Sequence, residues 1–445
     1  MIQPALPKGF RDFLPHEVMR RRHLITVMET IFARFGYLPI ETPVMEKLET
    51  LTGKYGEEGD RLLFKVLESG DYLRKANEAA LDARDSTALT PSIAKKGMRY
   101  DLTVPLARYA VQHRNDLAFP FKRSHIAPVW RADRPQRGRY REFYQCDVDV
   151  VGSDSPFCEA ELLRLYAEVF HRLGLKVAVR VNDRRLLTGL MDAVGLGDEA
   201  HQAITVLDKL DKIGLDRVLD ELDDLGLSDR DGLRTVLETG DVSRVPTNDQ
   251  VEAGCADLNT VLGLLERHPL PDGVRVERDP SLARGLDYYT GMIVEVVLDE
   301  DVAMGSLGGG GRYDDLTGMF GVKDLTGVGV SFGLERIYDV LTELDRWPEL
   351  NTAGIDALIV HFDEGARDAG YDLLWTLRSA GAAIDIYPDL AKMKKQMKYA
   401  NDRGIARVIL IGDDELASGR FLLKDMATGE QTARTADELA RLLTH

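Results

Sequence analysis

The first long segment of the chain has the hydrophobic pattern of an amphipathic helix. Residues 17–35 carry apolar side chains close to the 3.6-residue helical period, and Gly36 follows the last of them. We therefore predict a helix that ends at Gly36, followed by a turn and the strand-like segment YLPIETPVM. The apolar positions of the helix are Val18, Leu24, Val27, Met28, Ile31 and Phe35.

Between residues 117 and 152 the pattern changes to short runs rich in β-branched and aromatic side chains. The runs FKRSHIAPVWR and YREFYQCDVDVVG flank the polar segment ADRPQRGR. This arrangement predicts two strands joined by a long basic loop.

The middle of the chain is predicted to be helical. Ser155 and Pro156 start a helix, because proline is favoured in the first helical turn. After the strand-like KVAVRV, residues 184–268 lack convincing strand alternation. From Asp208 to Asp257 there are 14 acidic and 6 basic residues. We expect 184–268 to be an acidic helical domain inserted into the surrounding fold.

Strand-like sequence then returns, and the pattern breaks again before Gly354. The strand-like segments DALIVHF, AAIDIY, RVILIG and RFLLKD follow, and they alternate with helix-like segments, one starting at Asp389 and the last at ADELARLL. Alternation at these lengths predicts a small α/β domain over residues 354–445.

Composition narrows the class of protein. Of 445 residues, 57 are basic and 74 acidic, a net charge of −17, so any polyanion has to be bound by a local patch. Three cysteines, Cys146, Cys158 and Cys255, are too few and too far apart for a disulfide framework or a zinc site. The chain shows neither a signal-peptide pattern nor a membrane-length apolar run, so we expect a cytoplasmic protein that does not span a membrane.

The best candidate for phosphate binding is the basic stretch 122–142. No P-loop occurs, and no dinucleotide fingerprint follows a strand, so phosphate contacts must come from side chains. A guanidinium group matches phosphate oxygens with two parallel hydrogen bonds. On charge alone, a solvated surface hairpin explains the stretch equally well. Its basic residues are Lys122, Arg123, Arg131, Arg134, Arg137, Arg139 and Arg141, against Asp133 and Glu142.

Two further segments combine glycine with polar or aromatic residues. LARGLDYYTG places an arginine before paired tyrosines, and the four glycines 308–311 precede GVGVSFGLERI, a glycine-rich strand that runs into a helix. Consecutive glycines allow either a close backbone approach or a sharp bend. Taken singly, each segment is also compatible with ordinary core packing.

Taken together and in order, the segments resemble the signature elements of the histidyl-tRNA synthetases, a family of class II aminoacyl-tRNA synthetases. The resemblance covers almost the whole chain. Its segments are KGFRDFLP, YLPIETPVME as motif 1, RYDLTVPLARY, APVWRADRPQRGRYREFYQCDVDVVG as motif 2, ARGLDYYTG, GGGGRYDDL, and GVGVSFGLERI as motif 3. Motifs 2 and 3 are typical of the class, whereas RGLDYY and GGRYD are typical of the histidyl branch.

The resemblance implies an α+β fold: an antiparallel sheet of six or seven strands flanked by helices, a helical insertion and a C-terminal α/β anticodon-binding domain. It places the catalytic domain at 1–183 and 269–345, the insertion at 184–268 and the anticodon-binding domain at 354–445. It also implies a homodimer with motif 1 at the interface. The implied reaction joins ATP and L-histidine to give histidyl-adenylate and pyrophosphate, then transfers histidine to the 3'-terminal ribose of tRNA(His).

For ATP, the resemblance implies preorganised cations. Histidine's carboxylate must attack the α-phosphate, so two anions meet and fixed cations stabilise the growing charge. Arg131 and Arg284 are the expected catalytic residues on the α-phosphate. Mg²⁺ is expected on the departing pyrophosphate, with unknown protein ligands. The implied ATP site consists of Arg131, Asp133, Arg139, Phe143 and Arg336, of which Arg139 contacts the γ-phosphate and Phe143 the adenine.

For histidine, the resemblance implies one set of residues for the amino group and another for the ring. If the polar groups of a pocket lose their hydrogen-bond partners when another amino acid enters, the pocket favours histidine over that amino acid by a factor of about 10⁴ or more. No editing domain is then required. Asp101, Asp133 and Asp149 stand where many bacterial members have glutamate, which shortens their reach. The amino group is assigned to Asp101, Thr103 and Gln145, the imidazole to Asp149, Tyr289 and Tyr313, and Arg284 and Tyr288 complete the set.

For tRNA, the candidates are Arg137 and a lysine-rich helix, whose binding to phosphates should fall steeply with salt. A solvated lysine face is the alternative interpretation. A second hypothesis for the whole chain is a non-catalytic relative, either a regulatory subunit of ATP phosphoribosyltransferase or a sensor of uncharged tRNA. We favour the enzyme because such relatives tend to lose the catalytic arginines or the anticodon-binding domain. The lysines are Lys392, Lys394, Lys395 and Lys398.

Overall fold

A computed structural model describes residues 2–52, 62–283, 289–323 and 325–444. The chain divides into two compact units. The N-terminal unit comprises Met1–Asp12 and His23–Arg346, and the C-terminal unit comprises Phe13–Arg22 and Trp347–His445. Within the described ranges, no helix combines the length and the apolar character that crossing a bilayer requires.

The strands of the N-terminal unit form one large and one small sheet. In the described part they are β1 (Leu38–Pro39), β2 (Met45–Lys47), β3 (Lys65–Val66), β4 (Lys96–Met98), β5 (Phe121–Trp130), β6 (Glu142–Val151), β7 (Val177–Asp183), β8 (Val274–Arg278), β9 (Met292–Leu298), β10 (Gly308–Arg312) and β11 (Gly327–Gly333). The small sheet has the order β2-β4-β3. The large sheet has the order β1-β5-β6-β11-β10-β9-β7-β8.

The large sheet confirms the predicted architecture and corrects its details. Its internal pairs are antiparallel, whereas the edge pairs β1–β5 and β7–β8 are parallel. Eight described strands replace the six or seven expected. One edge strand, β1, is only two residues long. So short a strand hydrogen-bonds to its neighbour but leaves almost no periodic signal in the sequence.

The predicted motif 2 hairpin is confirmed as two ten-residue strands. β5 and β6 pair from Phe121 opposite Val151 to Trp130 opposite Glu142. We call residues 131–141, which join them, the motif 2 loop. Since hairpin register fixes which side chains share a face, this pairing sets the positions of the polar residues of β6.

The hydrophobic core of this unit lies between the large sheet and its helices. The helix predicted at Ser155-Pro156 spans Pro156–Arg172, and Ser155 Oγ accepts the Phe157 backbone N–H at 3.4 Å. Aromatic rings of this helix pack on Phe332 of β11, with centroid distances of 4.6 Å from Tyr166 and 5.6 Å from Phe170. The helix Pro15–Arg34 contributes its residues from His23 onward to this unit, and the other described helices of the unit outside 184–266 are Leu48–Thr52, Glu78–Asp82, Ser86–Ile93, Thr103–Gln112 and Leu334–Glu343.

Between β7 and β8 the described chain is helical, as its sequence predicts. The α-helices are Arg184–Ala193, Ala200–Leu207, Leu210–Ile213, Leu215–Asp223, Arg230–Thr239 and Asp249–Glu266. Arg185 bridges the buried Asp183 and the half-exposed Asp257, with 2.7 Å to each carboxylate, and so ties the first helix to the last. The limits of a separate domain at 184–268 stay a prediction.

The C-terminal unit has a mixed sheet flanked by helices. Its strands are β12 (Ala357–His361), β13 (Ile384–Ile386), β14 (Arg407–Ile411), β15 (Phe421–Asp425) and β16 (Gln431–Arg434), in the order β13-β12-β14-β15-β16. Its helices are Glu364–Ser379, Met393–Asp402, Asp413–Ser418 and Ala436–Leu443. The helix predicted from Asp389 begins only at Met393, because Lys392 is extended, with φ −54° and ψ 139°.

Candidate active site

A cavity of 720 Å³ lies against the large sheet of the N-terminal unit. It gathers most of the predicted site residues, although they are scattered over more than 230 positions of the chain. Arg284 and Tyr288 lie outside the described residues. Those that line the cavity are Asp101, Thr103, Arg131, Asp133, Arg139, Phe143, Gln145, Asp149, Tyr289, Tyr313 and Arg336.

The remaining predicted residues lie elsewhere. Arg137 is exposed, pairs with Glu343 and does not line the cavity. The four lysines of the predicted tRNA-binding face belong to the C-terminal unit. Conversely, Thr205, Asp208 and Lys212 from the helical region line the cavity although no pattern in their sequence indicated it.

Strand β6 supplies a row of side chains on the cavity face. Phe143, Gln145, Asp147 and Asp149 all line the cavity, because alternate residues of a strand share a face. Asp147 lies opposite Ser331 of β11, and Asp149 lies opposite Gly329. The row therefore begins with an aromatic ring and ends in carboxylates.

Glycines make room for the side chains at the carboxylate end. A Cβ atom on Gly329 would lie 1.9 Å from Asp149 Oδ1, and one on Gly327 would lie 2.3 Å from the Tyr313 ring. A Cβ on Gly311 would lie 2.8 Å from the Tyr289 ring. For the run 308–311 the sequence left close approach and a sharp bend open, and close approach accounts for Gly311, since β10 pairs regularly with both neighbours.

Asp149 is held by two fixed partners. Arg123, fully buried on β5, approaches Asp149 Oδ2 at 2.7 Å, and the Tyr313 hydroxyl donates to Asp149 Oδ1 at 2.5 Å. Burial raises the pKa of Asp149, and the charge of Arg123 opposes that rise. Arg123 was read from the sequence only as one of seven cations, whereas the structure gives it a specific partner.

Asp147 and His125 were missed by sequence reasoning. They face each other across β5 and β6. Burial raises the pKa of Asp147 to about 7, with Arg123 opposing, and burial lowers the pKa of His125 to about 3, with Arg123 and Arg99 adding to the effect. The alternation Gln145-x-Asp147-x-Asp149 was the signal that could have identified Asp147 as a cavity residue.

The other end of the row carries two arginines that are oriented by backbone carbonyls. Arg131 Nε donates to the Tyr100 carbonyl at 2.9 Å, and its guanidinium lies 5.1 Å from the centre of the Phe143 ring. Arg336 donates to the carbonyls of Gly138 at 2.9 Å and Ser306 at 2.5 Å. Charges fixed in this way are suited to an anion, because they need little reorganisation when it binds.

The motif 2 loop is tied to its surroundings on several sides. Within the loop, Asp133 accepts from Arg139, with contacts of 3.1 and 3.0 Å. The Tyr140 hydroxyl donates to Asp339 of the helix Leu334–Glu343 at 3.2 Å. The Arg141 backbone N–H donates to the Gly9 carbonyl at 3.0 Å.

Glu335 and Arg11 hold the base of this loop and were also missed. Glu335 Oε2 accepts the Tyr144 backbone N–H at 3.0 Å, which joins motif 3 to motif 2. Arg11 lies 3.8 Å from Glu335 and stacks over the Tyr140 ring at 3.3 Å from its centre. The N-terminal segment thus packs directly on the loop.

The cavity has two chemically different ends on one sheet. One end offers guanidinium groups and an aromatic ring, which suit a nucleotide polyphosphate and its base. The other end offers buried carboxylates and phenols, which suit a small ligand with N–H donors. An antiparallel sheet with these two ends is the catalytic architecture of class II aminoacyl-tRNA synthetases.

Comparison with known proteins agrees with this architecture. The family profile described as "Histidyl-tRNA synthetase" matches residues 9–74 and 71–337, and that described as "Anticodon binding domain" matches residues 356–445. A histidine–tRNA ligase of Christiangramia forsetii is 46% identical, with 97% of each chain covered, and one of Porphyromonas gingivalis is 48% identical, with 98% of each covered. The chain belongs to the histidyl-tRNA synthetase family.

Solved structures show the same fold. A histidyl-tRNA synthetase from Nostoc sp. PCC 7120 is 29% identical, with a TM-score of 0.83 over 100% of this chain and 99% of that one. A structure from Bacillus halodurans, titled as an ATP phosphoribosyltransferase regulatory subunit/histidyl-tRNA synthetase, is 21% identical, with a TM-score of 0.73 over 92% of this chain and 99% of that one. At that identity the second structure supports the fold alone.

Proposed function

We propose that this chain is a histidine–tRNA ligase. It activates L-histidine with ATP to form histidyl-adenylate and pyrophosphate, and then transfers histidine to the 3'-terminal ribose of tRNA(His). The observation that carries the proposal is a single cavity in which Arg131 and Arg336 lie at one end and the Asp149–Tyr313 pair at the other. Curated ligases similar over the full length of the chain support the same activity.

In the first step, a carboxylate oxygen of histidine attacks the α-phosphorus of ATP. A new P–O bond forms and the bond to pyrophosphate breaks. Negative charge accumulates around the α-phosphorus, and Arg131, which lines the cavity, is proposed as the fixed cation that stabilises this charge more than it stabilises the substrates. Phe143 provides the ring for adenine, Arg336 the cation on its other side, and Arg139, oriented by Asp133, the contact to the γ-phosphate. Arg284 is proposed as a second α-phosphate ligand.

At the histidine end, Asp149 and Tyr313 read the imidazole. Both side chains are buried and hydrogen-bonded to each other. An amino acid without matching ring nitrogens would exclude solvent from these two groups and offer them no hydrogen bonds in return. Tyr289 lines the same end of the cavity, and Tyr288 is proposed to take part in histidine binding. Asp101, Thr103 and Gln145 are proposed to bind the amino group.

Mg²⁺ is proposed to arrive with ATP, where it neutralises the leaving pyrophosphate. Within the described ranges, no group of three or more His, Cys, Asp or Glu side chains is placed to hold a metal ion. Mg²⁺ usually binds through one or two carboxylates together with substrate phosphates, so this finding concerns only an ion held by three protein side chains, and no step is assigned to a metal.

We further propose a homodimer and tRNA contacts. Leu38, Val44 and Met45 of motif 1 are 62, 40 and 51% exposed, which supports a subunit interface there. A sedimentation measurement should give twice the chain mass of 49.6 kDa. The C-terminal unit is proposed to bind the anticodon, with the lysines of the helix Met393–Asp402 and Lys392 against phosphates. Arg137, on the motif 2 loop, is proposed to reach the acceptor end.

The test of the proposed function is histidine-dependent exchange of labelled pyrophosphate into ATP. The purified protein should catalyse exchange, and Arg131→Ala should lower the rate by about 10²–10³, the usual effect of removing one transition-state donor. Arg131→Lys is the matched control that keeps the charge and loses the planar fork, so its rate should lie in between. A folded protein with no exchange would leave the non-catalytic hypothesis instead, as either a regulatory subunit or a sensor of uncharged tRNA.

A further inference from the structure

One buried carboxylate of the cavity has no role in the proposed mechanism. Asp147 is 3% exposed and lines the cavity between Gln145 and Asp149 on β6. Its Oδ1 atom has no hydrogen-bond partner among the described residues, and neither has Asp149 Oδ2, although Asp149 Oδ2 lies 2.7 Å from the Arg123 guanidinium. Burying a carboxylate oxygen without a partner is costly, so a group that enters the cavity is the natural candidate to bind it.

The two neighbouring carboxylates differ in their partners. Arg123 lies 2.7 Å from Asp149 but 3.7 Å from Asp147, and Tyr313 donates to Asp149. Asp149 therefore has a close cation and a phenol, whereas Asp147 has the distant edge of the same guanidinium and a hydrogen bond with Ser331. Of the two carboxylates, Asp147 is therefore the one without a cation within hydrogen-bonding distance.

Both carboxylates and guanidinium groups surround Asp147. Burial raises its pKa to about 7, the charge of Arg123 opposes this rise, and the like charges of Asp149 and Asp101 add to it. A cation placed next to Asp147 would reverse this effect by favouring the charged form. The charged or titratable groups that interact with it are Arg99, Asp101, Arg123, His125, Asp149, Tyr166 and Tyr313.

We infer that Asp147 is a further substrate-binding residue that accepts a hydrogen bond from the α-ammonium group of histidine, alongside Asp101. The inference rests on the proposed function. The ammonium group carries a full charge at neutral pH, whereas an imidazole of ordinary pKa near 6.5 is mostly neutral. The carboxylate that lacks a close cation therefore takes the ammonium, and the carboxylate that already has one reads the ring. Asp147 also lies on the same face of β6 as Gln145, the proposed amino-group ligand.

The inference is tested with two ligands that differ only in the ammonium group. These are L-histidinol and its deaminated counterpart 3-(imidazol-4-yl)propan-1-ol, titrated calorimetrically into the full chain. Asp147→Asn, which keeps the shape of the side chain, should weaken histidinol binding by about tenfold or more, because a charged hydrogen bond is lost. The deaminated alcohol should bind the variant and the unaltered chain equally.

Each other outcome has a defined meaning. Equal losses for both ligands would place Asp147 against the ring or in a structural role, and no loss for either would remove it from the site, so both outcomes overturn the inference. If the unaltered chain binds neither histidine nor histidinol, the proposed function fails first. Asp183→Asn is the matched control, because Asp183 is fully buried and paired with Arg185 but does not line the cavity. It should leave both affinities unchanged.

A second measurement needs no variant and covers the case in which Asp147→Asn does not fold. Titrations at pH 7 in buffers of different ionisation enthalpy count the protons released on binding. Burial raises the pKa of Asp147 to about 7, so its carboxyl binds protons at neutral pH, and histidinol should release more protons on binding than the deaminated alcohol does. Equal release for the two ligands would contradict the inference.

Discussion

At the scale of single residues, the histidine end of the cavity depends on glycines that carry no side chain. Gly329 has no Cβ, and the space is taken by Asp149, whose Oδ1 atom would lie 1.9 Å from a Cβ there. Arg123 and Tyr313 hold the same carboxylate from other directions. Adding one methyl group at Gly329 should therefore displace Asp149, which is proposed to bind the substrate, without altering any charge.

We predict that Gly329→Ala raises the KM for histidine by about tenfold or more and leaves the KM for ATP within about twofold, since the loss of one charged hydrogen bond has that size. Pyrophosphate exchange with each substrate varied in turn checks this. Gly263→Ala is the matched control, because Gly263 lies in the helix Asp249–Glu266 and an added methyl group there would have nothing within 4 Å. An unchanged histidine KM in Gly329→Ala would show that Asp149 does not contact the ring.

His125 gives a second prediction, on the pH dependence of stability. Its pKa is about 3 in the folded chain against 6.5 in the unfolded chain, so the unfolded chain binds more protons between these values. Stability contributed by the neutral ring is therefore lost as the pH falls, by about 2 kcal/mol between pH 6.5 and 4.5. His125→Gln should remove this loss, measured as urea unfolding midpoints at pH 4.5, 5.5 and 6.5.

Asp147 provides the control of opposite sign. Its pKa is raised to about 7, so the folded chain binds more protons between 3.8 and 7, and its contribution to stability is lost as the pH rises through this window. Asp147→Asn should therefore make the unfolding midpoint fall more steeply on acidification. Identical pH slopes in both variants would contradict the assigned protonation states.

At the scale of elements, the N-terminal segment is part of the nucleotide end. Gly9 has φ +90° and its carbonyl accepts the Arg141 N–H, while Arg141 also donates to the Lys8 carbonyl at 3.3 Å. A Cβ on Gly9 would lie 2.8 Å from both Arg141 and Pro135. The segment therefore sets the position of the motif 2 loop through close contact.

We predict that Gly9→Ala raises the KM for ATP several-fold and leaves histidinol binding unchanged. The reason is that the added methyl pushes the motif 2 loop, with Asp133 and Arg139, away from its position. Gly70→Ala is the matched control, because Gly70 has a similar φ of +80° but nothing within 4 Å. Both variants carry similar backbone strain. If both raised the KM for ATP equally, the cause would be strain and not contact with the motif 2 loop.

At the scale of the whole molecule, a chain of net charge −17 has to bind a polyanion through local patches. In the C-terminal unit, Met393 and Met397 pack against the core while Lys394 and Lys395 are exposed. The predicted division of this helix into an apolar and a basic face is therefore present. Its contact with tRNA remains a prediction.

We predict that replacing Lys394 and Lys395 by glutamate raises the KM for tRNA at least tenfold and leaves pyrophosphate exchange unchanged. Removing phosphate contacts should also flatten the dependence of log KM on log salt by about one unit per contact. Aminoacylation at several salt concentrations measures both effects. The control is Arg441→Glu, an exposed cation in the last helix of the same unit, and an equal effect there would indicate a general charge effect.

Much of the fold could be predicted because its signals are local. The hairpin β5–β6, the helix Pro156–Arg172 and the helices after Asp183 follow from period-2 and period-3.6 patterns and from an N-cap next to proline. The parallel edge pairs β1–β5 and β7–β8 were not predicted, because the side-chain pattern of a strand does not report which neighbour it pairs with or in which direction. The start of the helix at Met393 was placed too early, since side-chain periodicity does not report an extended backbone at Lys392.

The sequence by itself determined which residue types were available for the site and which local elements carry them, since a motif and a hydrophobic period are written in neighbouring residues. The tertiary structure alone decided the pairings: Arg123 with Asp149, Gly329 making room for Asp149, and Glu335 holding the backbone of Tyr144. The physical reason is that burial, the interaction between charges and side-chain contact all depend on distance in space. Sheet pairing and helix packing set that distance, and separation along the chain does not.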